Sequence, residues 1–269
     1  MKIIYFGDIV GRSGRTAVLA SLDEIRRRYA PDLMIANGEN AAHGFGITEK
    51  ICNEFFEAGI DVITTGNHVW DQREITSYIA DEPRLLRPNN YPKLTPGMGI
   101  GVFTTASGRR ALVVQVMGRL FMEALDDPFA SVDEALRNHR LGSSVDAIVV
   151  DIHAEATSEK MAMGVFLDGR VSMVVGSHSH VPTADARVLP GGTAYQTDAG
   201  MCGDYNSVIG MKKDVALARF IRKMPTDRLE PAEDEATVCA VLVETNDATG
   251  LARTCRSLRL GGRLETSLP

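Results

Sequence analysis

Met173-Val174-Val175-Gly176-Ser177-His178-Ser179-His180 is the stretch on which the reading of this chain turns. A β-branched apolar run ends at a glycine, and two histidines come next, one residue apart. On a continuing strand such a pair points to opposite faces. Where the strand opens into a turn, both imidazoles can converge on one point beyond the sheet edge. Imidazole is the commonest metal ligand, so this geometry suggests a metal site. H-x-H alone fits two surface histidines in a loop equally well. Repetition decides between them, because the same position in the chain recurs four more times.

Apolar runs at Lys2 to Phe6, Leu33 to Ala36, Asp61 to Thr65 and Ala147 to Ile152 end, respectively, at Asp8, Glu39-Asn40, Asn67-His68 and His153. Ligands of open α/β sheets gather at the carboxyl ends of strands. Gly7, Gly38, Gly66 and Gly176 sit beside these groups and let the backbone turn sharply. One strand-end carboxylate commonly caps a helix. Five strand ends carrying O or N ligands, and none carrying Lys or Arg, are hard to assign to capping.

Between the runs the chain has helical signals. Gly11 to Gly14 reads as a turn, followed by a helix over Thr16 to Tyr29 with an apolar stripe at Val18, Leu19, Leu22 and Ile25. Thr48 suits an N-cap for a helix to Ala58, and Asp71 with Glu74 a capping box for a helix to Ile79. Gly99 to Thr105 and Ala111 to Met117 form a hairpin pattern, Ser131 and Glu134 a second capping box for a helix ending near Gly142, and Ser158 to Met163 a short helix. Later strands are expected over Thr193 to Thr197, Thr237 to Val243 and Leu251 to Leu260, a helix over Lys212 to Arg222, and a polar linker over 225–235. Alternating strands and helices imply parallel pairing early, and strand-rich sequence implies mixed pairing later. A layered α/β fold over 1–269 as one domain satisfies both.

Bulk properties narrow the function. The 269 residues are 44% hydrophobic and 24% charged, an ordinary globular balance. No apolar run reaches a membrane span, and the chain enters a strand at Lys2, so neither membrane nor signal peptide is expected. Cys52, Cys202, Cys239 and Cys255 are scattered, against a cysteine-based zinc site and in keeping with a reducing cytoplasm. A net charge of −6 disfavours duplex DNA. An anionic substrate therefore needs local positive charge, which metal ions supply.

Two carboxylates, two amide oxygens and three histidines exceed what one tetrahedral zinc needs, so two metals are expected. The mixed donors favour iron or manganese, with zinc as the alternative, over magnesium or calcium. Four positive charges less Asp8, Glu39 and one hydroxide leave about one positive charge to meet a phosphate.

As a set, Gly7-Asp8, Gly38-Glu39-Asn40, Gly66-Asn67-His68, His153 and Gly176 to His180 resemble the motifs of calcineurin-like metallophosphoesterases. The runs FGDIVGRSGR, ANGENAAHGFGIT, TTGNHVWD, RPNNYP, DIHAEATSEK, VGSHSHVPTAD and TDAGMCGDYNSVIG are similar to the bacterial YmdB-like phosphodiesterases, as far as about Gly210. The resemblance implies an α/β/β/α sandwich of two mixed sheets flanked by helices, and a dimetal phosphodiesterase acting on 2′,3′-cyclic nucleotides and related esters. By position it places Asp8, Glu39, Asn40 and His180 on one metal and Asn67, His153 and His178 on the second, with Glu39 bridging. It makes His68 the acid for the leaving oxygen, a role suited to a side chain that exchanges protons near neutrality. Ile9 stands where many superfamily members have a ligating histidine, and Glu39 where they have an aspartate.

Weaker candidates surround these. His43, Asn89 and Tyr91 are candidate substrate contacts, Tyr91 by stacking on a base. The alternatives are a solvent-facing loop histidine and a rigid turn across Arg87 to Pro92. Asp198, Ser207 and Asp151 compete to hold the outer nitrogens of ligating histidines. His139 is expected to be structural inside a helix, and Arg26 to Arg28 a solvated helix end. A phosphomonoesterase and a non-catalytic nucleotide-binding regulator are the rival functions. The loop Gly7 to Gly14 matches neither the dinucleotide nor the Walker fingerprint, which counts against the regulator. RNA ends remain within the chemistry, and self-association stays open.

Overall fold

The computed structural model describes residues 1–224 and 226–269. One mixed sheet runs β2 (Asp8–Ile9), β11 (Met201–Asp204), β12 (Ala236–Thr245), β1 (Lys2–Phe6), β3 (Leu33–Asn37) and β4 (Val62–Thr64), with β13 (Ala252–Leu260) also paired to β12. The other runs β5 (Ile100–Thr104), β6 (Arg110–Met117), β7 (Ala147–His153), β8 (Met173–Ser177), β10 (Ala194–Gln196) and β9 (Arg187–Val188). β1, β3 and β4 are parallel, as are β6, β7, β8 and β10, while the late β12 and β13 pair antiparallel.

Alternation along the strands builds the layers. Ile3, Tyr5, Leu33, Ile35 and Val241 meet Ala111, Val113, Ala147, Val149, Met173 and Val175 between the sheets. The intervening Ile4, Phe6, Met34, Ala36 and Ile63 pack outward on α1 (Gly11–Tyr29), α2 (Glu49–Glu57) and α3 (Ile75–Asp81). On the far side Leu112, Val114, Ile148, Val150, Ile152 and Val174 meet α4 (Pro128–Leu136) and α5 (Thr157–Leu167). Both faces of the central strands are covered, which is why they read as continuous apolar runs. A one-residue slip would exchange the two sets of side chains. α6 (Lys213–Arg222) comes after β11. The result is the α/β/β/α sandwich expected from the sequence.

Several boundaries differ from expectation for identifiable reasons. α1 begins at Gly11, so Gly11 to Gly14 is helix and not a turn. Gly14 is there for contact, because a Cβ on it would lie 2.1 Å from the Cys202 carbonyl oxygen. α3 begins at Ile75 with no side-chain cap, since the Asp71 carboxylate is bound to His68 instead. α4 begins at Pro128, capped by Asp127 accepting from the Phe129 and Ala130 N–H groups, so Ser131 lies inside the helix and His139 beyond its end. α5 runs on to Leu167, and the short β2, β9 and β11 had no pattern long enough to see. The linker expected over 225–235 starts outside the described residues; its described part, 226–235, forms no helix or strand.

Candidate metal centre

The carboxyl ends of β1, β3, β4, β7 and β8 lie at one edge, and the eight side chains singled out by sequence stand at these five ends. β1 leads to Asp8, β3 to Glu39 and Asn40, β4 to Asn67 and His68, β7 ends on His153, and β8 leads to His178 and His180. Asp8, Glu39 and His153 are completely buried.

One group gathers on the His153 imidazole. Its Nε2 lies 2.9 Å from Asn67 Oδ1, 3.1 Å from Glu39 Oε1 and 3.1 Å from His178 Nδ1. One imidazole nitrogen offers either one proton or one lone pair, so it cannot satisfy three partners. Potential ligand atoms of Glu39, His153 and His178 all lie within 4.8 Å of one another. A second group forms beside it. Asp8 accepts from the His178 N–H at 3.2 Å, and His180 Nε2 sits 3.8 Å from Asp8 Oδ1. His178 (φ 95°) and His180 (φ 64°) both adopt left-handed backbone, which costs about 1–3 kcal/mol each for a non-glycine residue. That conformation turns both rings off the strand and into the site.

The donor set fits a cation pair. Glu39 Oε1 and Asn40 Oδ1 are buried without a hydrogen-bond partner. Two such orphans on adjacent residues are costly unless something outside the protein is bound to them. Electrostatics agree. Burial raises the Asp8 carboxyl to about 6, against the pull of His180 and His153. Burial would raise Glu39 as well, but the His153 charge beside it, with help from His68, holds it down to about 2. His153 is driven the other way: burial lowers it, and the Glu39 carboxylate outweighs that to bring it to about 9. His178 falls to about 3 through burial and the neighbouring His153.

The outer nitrogens are held from behind. His153 Nδ1 meets Ser177 Oγ at 2.8 Å; Ser177 donates to Asp151 Oδ1, and Tyr5 donates to Asp151 Oδ2. Asp151 thus reaches the histidine through a hydroxyl. His180 Nδ1 meets the Ile209 carbonyl at 2.8 Å, and Ser207 braces that loop by accepting from the Gly210 N–H. Asp198 acts elsewhere. It accepts from the Ser179 N–H and hydroxyl and from the Gly200 N–H, and pairs with the buried Lys160 at 2.7 Å. This clamps the residue between the two histidines. Asp198→Asn is expected to weaken metal binding about 10–100-fold with the fold retained. Metal titration followed by circular dichroism checks it, and unchanged affinity would remove the clamp from the account.

His68 stands apart from the ligand atoms. Its N–H donates to Glu39 Oε2 at 3.0 Å, its Nδ1 meets Asp71 Oδ2 at 2.9 Å, and Phe45 lies edge-on at 5.1 Å. Nε2 has no partner among the described residues. Of the weaker candidates, His43 is exposed at φ 55° in the loop after Asn40. Asn89 donates to Ser131 and lines, with Tyr91 and Arg87, a separate cavity of about 500 Å³. Tyr91 packs edge-on to Trp70. Asn90 is structural, since its amide bonds the Met117 and Asp126 carbonyls. Sequence reading missed Ser177, Tyr5 and Lys160 as supports of the site. Ser177 and Lys160 lie within the YmdB-like runs, but Tyr5 carries no signal beyond that of a core strand.

This architecture is that of the calcineurin-like phosphoesterases. The solved structure of the calcineurin-like phosphoesterase YfkN from Bacillus subtilis superposes with a TM-score of 0.56 at 14% identity, over 96% of this chain and 90% of that one. Within that fold the chain belongs to the YmdB-like protein family, whose model matches residues 4–258. It is 45% identical over 249 residues, 93% of each protein, to a 2′,3′-cyclic-nucleotide 2′-phosphodiesterase of Bacillus subtilis (strain 168). The crystal structure of a novel phosphatase from Mycoplasma pneumoniae matches with a TM-score of 0.90 at 31% identity, over 97% of this chain and 93% of that one.

Proposed function

We propose that this chain is a dinuclear-metal phosphodiesterase acting on 2′,3′-cyclic nucleotides. The observation that carries the reading is the convergence of Asn67, Glu39 and His178 on one His153 nitrogen, beside the buried, unpartnered oxygens of Glu39 and Asn40. Support for the substrate class comes from the 45% identity to a 2′,3′-cyclic-nucleotide 2′-phosphodiesterase.

Asp8, Glu39, Asn40 and His180 would hold one cation and Asn67, His153 and His178 the other, with Glu39 shared. When bound, such a pair supplies Lewis acidity to the phosphate and lowers the pKa of an attacking water. The chain's own groups do the rest. Ser177 and Asp151 fix the His153 ring so that Nε2 faces the site, and the Ile209 carbonyl does the same for His180. Asp71 accepts from His68 Nδ1–H, which directs Nε2 outward to carry the proton for the departing ribose oxygen. Glu39 accepts from the backbone of His68 and so ties acid to ligand set. Iron or manganese suits the mixed donors best, with zinc the alternative. Cytoplasmic residence is supported by four free cysteines, three of them buried, and no helix of the described residues is long and apolar enough to cross a membrane.

Hydrolysis of bis-p-nitrophenyl phosphate and 2′,3′-cyclic AMP by metal-stripped protein, with manganese, iron or zinc restored singly, tests the reading. Activity is expected to return with metal and to fall sharply in Asn67→Ala. In His68→Ala turnover is expected to fall about 10²–10⁴-fold with metal content kept. Full activity in the stripped protein removes the metal from the reaction, and undiminished turnover in His68→Ala removes the proton donor.

A further inference from the structure

The loop that presents Glu39 and Asn40 also walls a second cavity, of about 430 Å³, between the first turns of α1 and α2. Its polar lining includes Arg12, Arg15, His43, Thr48, Lys50 and Glu54, over an apolar floor of Leu19, Ala42 and Ile51. Arg12 and Arg15 are three apart on one helix and so share a face. In a chain with 35 acidic and 29 basic side chains, three cations here meet a single carboxylate. None of the three forms an ion pair within 4.0 Å among the described residues. Arg15 is the decisive one. It is half-buried, and its Nε is shielded from solvent with no hydrogen-bond partner. Burial pulls its pKa down, which Glu54 opposes and Arg12 reinforces. A guanidinium held this way lacks an acceptor, and its planar fork matches a phosphate.

We propose that this cavity binds a phosphate group and serves the metal centre as a subsite for a second phosphate on the same substrate. The two sites are joined through one loop. The Asn40 carbonyl accepts from the Gly11 N–H at the start of α1, and the Asn40 side-chain amide donates to the Gly44 carbonyl. His43 lies three residues beyond Asn40, so their Cα atoms are at most about 11 Å apart. A nucleotide bearing phosphates at both ends of its ribose offers anions to both places. The subsite role rests on the phosphodiesterase reading above; the phosphate site itself does not.

The test uses full-length, metal-loaded protein and Arg15→Met, which removes charge while keeping an apolar stem. Rates are compared for 2′,3′-cyclic AMP and its 5′-phosphorylated form. A 5′-phosphate is expected to raise kcat/KM about tenfold or more in the unaltered protein. Arg15→Met should abolish that advantage and leave the rate on 2′,3′-cyclic AMP unchanged. Calorimetric titration with inorganic phosphate should show one fewer site in Arg15→Met. Loss of that site with no 5′-phosphate advantage would assign the cavity to free phosphate and overturn the substrate role. Phosphate binding that Arg15→Met leaves intact overturns the proposal entirely. If neither nucleotide is hydrolysed, the phosphodiesterase reading fails, while the titration still judges the cavity.

Discussion

Glu39→Gln is expected to lower turnover by about three orders of magnitude while the protein stays folded. The substitution keeps shape and volume, so its effect isolates charge and hydrogen-bond polarity. Glu39 Oε2 accepts from the His68 N–H at 3.0 Å, and Oε1 faces His153 Nε2 at 3.1 Å and has no hydrogen-bond partner. A glutamine amide nitrogen placed on the first side opposes another donor. Placed on the second side, it directs N–H groups at the point where a cation is to bind. Neither orientation works, and the carboxylate proposed to be shared by both halves of the site is gone. Metal content should drop with activity, and the thermal stabilisation that added metal gives the unaltered protein should shrink. Two equivalents of bound metal and undiminished turnover in Glu39→Gln would falsify the shared-carboxylate role.

The range of each interaction explains why some features could be read from the chain and others could not. Strand ends announce themselves locally: Val174-Val175-Gly176 stops at a glycine, and the residues after it must lie at the sheet edge. Five such endings therefore placed Asp8, Glu39, Asn40, Asn67, His68, His153, His178 and His180 on one edge without any knowledge of strand order. The sandwich was legible for a related reason, since strands buried on both faces leave no polar alternation.

Contacts that depend on register were not legible. Ser177 reaches His153 because the two are paired across β8 and β7, 24 residues apart in sequence. Tyr5 reaches Asp151 from the opposite sheet, and nothing near Tyr5 in the chain signals it. Asp71 shows how local rules are overridden. Its spacing to Glu74 suits a capping box, yet the carboxylate turns to His68, and the helix starts later without a cap. The His68 ring outcompeted a cap that contributes about 1 kcal/mol.

Gly66→Ala and Gly176→Ala are expected to fail in different ways, although each adds one methyl group beside the same site. At Gly66 a Cβ would lie 2.4 Å from Glu39 Oε2 and from His153 Nε2, and its three nearest neighbours are all side-chain atoms. Those side chains can move, so overpacking should cost about 1–3 kcal/mol of stability. In moving, they abandon the arrangement that collects the ligand atoms. Metal binding and turnover should therefore collapse in a protein that still unfolds cooperatively. At Gly176 the Cβ would lie 1.8 Å from the Thr197 carbonyl oxygen, on the chain just beyond β10, the parallel neighbour of β8. A backbone oxygen fixed beside a sheet cannot give way, so the strands must separate, and a loss above about 4 kcal/mol is expected. Thermal unfolding and metal titration of both variants separate the two outcomes. A Gly66→Ala protein with full metal affinity would show that Glu39 and His153 need not be where the structure places them for a cation to bind.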